Sequence, residues 1–134
     1  MTSEFFTNVR TAVLGLTGLV CLVYGGGALA MGTPQPFAFW LPGLFGVASV
    51  ILISIAALAA GDDNARRATD EGYVADRRHA EGFGFWVAIL LYPAFAVPLW
   101  QGWVSYPTAY AAMGTLTAAA FLLRFVWADV KGRL

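Results

Sequence analysis

Two long stretches of the chain, residues 11–61 and 82–123, contain no Asp, Glu, Lys or Arg, and each is broken once by a short run of Gly, Pro and polar residues. A charged side chain at the centre of a bilayer costs about 2.5–3.5 kcal/mol on insertion scales, so runs of this length have lipid as their solvent. About 20 residues, rising about 1.5 Å each, cross a hydrocarbon core of about 30 Å, and each stretch holds two such lengths. The pattern therefore predicts four transmembrane helices, over residues 11–31, 37–60, 83–103 and 106–127. The breaks fix their ends. Gly32-Thr33-Pro34-Gln35-Pro36 cannot continue a helix, Gly61-Asp62-Asp63 restores charge after the second span, and Gln101-Gly102 with Ser105-Tyr106-Pro107 turns the third into the fourth. The expected fold is all-α, an integral membrane four-helix bundle made of two helical hairpins.

Charge adds orientation. The eight Lys and Arg fall at Arg10, at Arg66, Arg67, Arg77 and Arg78 in the loop of residues 61–82, and at Arg124, Lys131 and Arg133; the other two connections carry none. By the positive-inside rule both termini and the central loop are expected in the cytoplasm, with two short turns outside. Aromatic residues form the two belts this requires, Phe37, Phe39, Trp40, Trp100, Trp103 and Tyr106 at the outer level and Phe5, Phe6, Phe83, Phe85, Trp86, Phe125 and Trp127 at the inner one. Arg124 lies inside the last apolar stretch but close enough to its end to snorkel into the headgroups.

Composition then narrows the chemistry. A chain of 134 residues, 59% hydrophobic and 12% charged, is expected to form one multi-pass membrane domain. Cys21 is alone, which excludes an internal disulfide and leaves a small packing residue. Ala28-Leu29-Ala30 imitates a signal-peptidase site, but the apolar core before it is too long, and the segment reads as an uncleaved span. His79, the one histidine, sits in the polar loop near Asp76 and Glu81, a weak metal site, and no imidazole lies within a span to ligate haem. No catalytic residue, metal or cofactor site is expected, nor a proton or ion relay of the chain's own.

Small residues indicate how the helices hold together, because lipid removes the hydrophobic drive between them and leaves close backbone approach as the main attraction. The packing candidates are Gly15 and Gly18 in the first helix, before the Gly25-Gly26-Gly27 tract, Gly43 and Gly46 in the second, and Gly114 and Ala118 in the fourth. Pro93 and Pro98 remove backbone donors from the third and predict a kink. In the central loop, Asp62 and Asp63 stand four residues before Arg66 and Arg67, the order that favours a short surface helix. Arg66, Arg67, Arg77 and Arg78 are candidates for cytoplasmic docking. The six acids of that loop against its four bases argue against strong binding of the loop to anionic lipid or nucleic acid.

The segment Gly32-Thr33-Pro34-Gln35-Pro36-Phe37, leading into Leu41-Pro42-Gly43-Leu44-Phe45-Gly46, resembles the Gly-Pro-rich turn into helix two of the small TctB-type membrane subunit of tripartite tricarboxylate transporters. Leu91-Tyr92, Gly102 and Pro107-Thr108-Ala109 opening an Ala-rich helix are similar to that subunit's later region. The resemblance implies a non-catalytic small subunit beside a larger permease that receives carboxylates from a periplasmic binding protein. Two other classes fit the same silent helices: an accessory or assembly subunit of a respiratory or photosynthetic complex, and a small self-associating channel. In each case the partners are the lipid bilayer and other membrane chains, or copies of this one as a homo-oligomer.

Overall fold

The computed structural model describes residues 2–134 and is all-helical across them. Four helices are long and apolar enough to cross a membrane, α1 (Ser3–Met31), α2 (Leu41–Ala60), α4 (Glu71–Trp100) and α5 (Tyr106–Lys131), which makes this a multi-pass membrane protein. The short α3 (Asp62–Arg67) lies between the second and third.

Three of these helices outrun the lipid-crossing lengths read from hydropathy, α5 by ending at Lys131 rather than 127. α1 begins at Ser3 rather than residue 11 because the Thr2 side chain accepts the Phe5 N–H at 3.2 Å, satisfying a donor that the first turn leaves free. α4 begins at Glu71 rather than 83, where Asp70 accepts the Tyr73 N–H at 3.0 Å. Much of the segment read as a polar loop is therefore helix. α2 starts at Leu41 rather than 37, since residues 38–41 close a turn by the 3.0 Å bond from Leu41 N–H to the Ala38 carbonyl before Pro42 opens the helix. α1 ends at Gly32, whose φ of +64° turns its own N–H and that of Thr33 back onto the Ala28 carbonyl. Gly25, Gly26 and Gly27 stay helical, and α4 runs through both Pro93 and Pro98 and ends at Trp100 rather than 103.

The helices pack in the order α2, α1, α5, α4, with α1 against α5 the most extensive interface. Among the described residues α2 and α4, at the two ends of that order, share no extended contact, and neither do α1 and α4. The arrangement is an open row, where the sequence suggested a bundle. Glycines explain its centre. A Cβ on Gly25 would stand 2.7 Å from Thr115 Oγ1 and 2.8 Å from Leu116 Cγ, and one on Gly18 would meet Leu123 at 3.0 Å. α1 and α5 thus approach as closely as bare backbone allows. Gly84 does the same for α4 against Phe121 of α5, and Phe95, Ala109 and Ala112 close the far end of that pair. Between α1 and α2 the link is mixed: Phe6 packs on Ala56 and Ala60, and Thr17 and Ser49, both buried, share a 2.6 Å hydrogen bond.

Candidate functional site

The described charges do not all lie in solvent. Arg10, near the start of α1, is 3% exposed, although its sequence context suggested only a cation at the membrane edge. Its guanidinium stacks on the Tyr73 ring of α4 at 4.3 Å, with the Phe6 and Phe125 rings at 5.8 and 5.7 Å. Nη1 donates to the Ala68 carbonyl at 2.8 Å, tying α1 to the segment between α3 and α4, and Nη2 faces Asp129 Oδ1 of α5 at 3.4 Å. One side chain thereby joins α1, α4, α5 and the link that follows α3. A planar cation suits the position, since its faces take aromatic rings while its edge keeps donors for carbonyl and carboxylate.

Asp129 is the hub on the α5 side. Its carboxylate also accepts from Thr11 and from Arg133, which lies just past the end of α5, and Arg133 reaches Asn8 and Thr11 of α1. Asp129 is 12% exposed at its side chain. Breaking a buried ion pair by removing one partner costs about 3–5 kcal/mol, whereas exposed pairs contribute about 0–1, so stranding Arg10 costs more than losing the exposed Arg77–Glu81 pair. Arg10 Nε alone among buried side-chain nitrogens and oxygens of the described residues has no partner.

A cavity of about 350 Å³ opens beside the cluster. Arg10, Arg67 and Arg133 line it together with Glu4, Asp70 and Asp129, so its charges balance. Such a lining holds a network together but gives neither sign of ligand a preference. No group of three His, Cys, Asp or Glu able to hold a metal occurs among the described residues. His79 is exposed on α4, away from any such set.

The residues singled out from sequence separate into those that hold the single chain together and those that face outward. Gly15 and Gly18 face α5, where a Cβ at Gly15 would meet Val126 at 3.6 Å. Gly43, Gly46 and Gly114 have open space beyond them. Gly114 and Ala118 line one groove with Gly84 and Ala88 of α4, about 430 Å³ in volume. Arg67 joins the cavity described above, Arg77 pairs with Glu81 at 2.7 Å on the exposed face of α4, and Arg66 and Arg78 are exposed. These four arginines form no single patch, being divided between α3 and α4.

Arg10, Asp129, Thr11 and Tyr73 were not singled out as a site. Their one signal in the sequence is an acid, Asp129, placed just past an apolar span in company with a basic residue just before another, which is also the ordinary pattern of solvated helix ends. No protein family, curated protein or solved structure matches the chain.

Proposed function

We propose that the chain is a non-catalytic small integral subunit of a multi-component secondary transporter for carboxylates in the bacterial inner membrane, where it packs against a larger permease subunit. Both termini and α3 face the cytoplasm in this reading, which rests on the distribution of Lys and Arg. The carboxylate class rests on the resemblance of the first and last turns to the TctB-type subunit.

One observation carries the packing role. The groove between α4 and α5 has Gly84 and Ala88 on one helix and Gly114 and Ala118 on the other, both pairs four residues apart, with Phe85 and Phe121 beside them and Glu81 and Thr117 completing the lining. Small residues at that spacing on two adjacent helices are the surface to which a third helix approaches closely in lipid. Within this chain nothing fills the groove, and a Cβ at Gly114 would meet no atom within 4 Å. Gly114 has room for a side chain that it lacks, which suits this stretch of α5 to another chain.

The test is purification in mild detergent from the native membrane, for the native sequence and for Gly114→Leu. Larger, different chains that co-purify with the native sequence and are lost from the variant support the reading, with carboxylate uptake lost in parallel. Copies of the chain alone would favour a self-associating channel. Co-purified pigment or haem would favour an energy-converting complex and overturn the transporter reading.

A further inference from the structure

On the other side of the α4–α5 pair from the small-residue groove lies a second trough, about 490 Å³ in volume. It exists because α1 and α4 both pack on α5 and have no extended contact with each other. α5 forms its floor through Leu116, Ala119 and Ala120, and Leu22 of α1 and Phe83 and Leu91 of α4 form its walls. Arg124 is the single charged residue of the lining. It is exposed, and among the described residues no carboxylate or carbonyl partners it.

We propose that this trough binds an anionic phospholipid, with one acyl chain lying along α5 and the headgroup phosphate held by Arg124. The dimensions agree. Leu116 and Arg124 are eight residues apart, about 12 Å along a helix axis, against about 15 Å for one leaflet of a hydrocarbon core of about 30 Å. Arg124 stands five residues before Asp129, about 7.5 Å deeper along α5, which places its guanidinium where a snorkelling side chain meets phosphate rather than bulk water. The buried arginine of this end, Arg10, is already committed to Asp129, Ala68 and Tyr73. Arg124 has no such internal partner, and a diester phosphate supplies the missing charge. The headgroup is anionic overall because a zwitterionic one brings its own cation to compete for the same oxygens.

The purified chain, reconstituted in nanodiscs of phosphatidylcholine with a minor fraction of either phosphatidylglycerol or phosphatidylcholine carrying the same chains and a spin label, reports the preference directly. The native protein should retain the glycerol lipid in immobilised form roughly fivefold over its choline counterpart, the factor expected from about 1 kcal/mol per basic residue at a lipid surface. Arg124→Gln should abolish that preference and keep a residual immobilised fraction of both lipids. Ala120→Phe, which fills the floor, should reduce the immobilised fraction of both. Lys131→Gln should change neither. Helical content by circular dichroism verifies each variant, and the exposed Arg124→Gln keeps the test decisive where Ala120→Phe fails to fold. Equal retention of the two lipids by the native chain, an unchanged preference in Arg124→Gln, or an equal loss in Lys131→Gln overturns the proposal. So does a cross-link from Ala120→Cys, made with Cys21→Ala, to a second protein chain instead of lipid.

Discussion

The contact between Gly25 and α5 gives the sharpest energetic prediction. A methyl placed at Gly25 meets Thr115 Oγ1 at 2.7 Å and Leu116 Cγ at 2.8 Å, both shorter than real Cβ contacts. Neither neighbour can move aside freely: the Thr115 hydroxyl donates to the Ala111 carbonyl at 2.7 Å, and the Leu116 contact is at the branch point rather than the end of its side chain. Gly26, one position on, has nothing within 4 Å. Both changes to Ala gain about 1 kcal/mol of intrinsic helix preference, and only the first overpacks an interface, at about 1–3 kcal/mol. The intrinsic part cancels in the difference, so Gly25→Ala should be less stable than Gly26→Ala by about 1–3 kcal/mol. Reversible unfolding in mixed micelles, followed by tryptophan fluorescence, measures that difference. Truncating Leu116 to Ala should recover part of it, with a coupling above about 0.5 kcal/mol. If the two glycine variants unfold alike, α1 and α5 do not meet as closely as described, and the account of the row's centre fails.

Three further outcomes follow from other parts of the molecule. Asp129→Ala, which strands Arg10 without its carboxylate, should destabilise by about 3–5 kcal/mol in the same unfolding assay, and the double change Arg10→Met with Asp129→Leu should recover most of the loss. Thr17→Ala and Ser49→Ala should show a coupling of about 0.6 kcal/mol, at most about 1.7, as buried hydroxyl pairs between membrane helices do; a coupling of zero would remove the polar link from the α1–α2 interface. A topology reporter inserted beside Asn64 should report cytoplasm and one beside Gln35 the opposite face, and an external signal from α3 would overturn the assigned orientation.

Much of the fold was legible because lipid makes the rule simple. A continuous apolar run of about 20 residues crosses the bilayer as a helix, since that alone satisfies the backbone within one segment, and Pro34 and Pro36 or Gly61 end it. The helices' true lengths were less legible, for hydropathy marks where lipid starts and not where hydrogen bonding stops. Thr2 and Asp70 carry that second signal, and each is a single polar residue among several that could serve equally well. The glycine spacing pointed to close packing without naming partners: Gly18 faces α5 while Gly43 and Gly46 face no helix of this chain. The polar cluster was beyond reach for the same reason. Arg10 and Asp129 are 119 positions apart, and their meeting depends wholly on which two helices are neighbours.

The order of the row also bears on how the protein is made. The ribosome delivers α1 first and α5 last of the long helices, yet the most extensive interface joins these two, and α4 has no extended contact with any helix but α5. Until α5 enters the membrane, the earlier spans have only the α1–α2 pair and the contacts of Arg10 with Ala68 and Tyr73, with Arg10 still lacking its carboxylate. A chain arrested before residue 106 should therefore present the exposed glycine faces of α1 and an unpartnered α4 to the membrane's quality-control proteases, while a chain extended through Lys131 closes the row in one step.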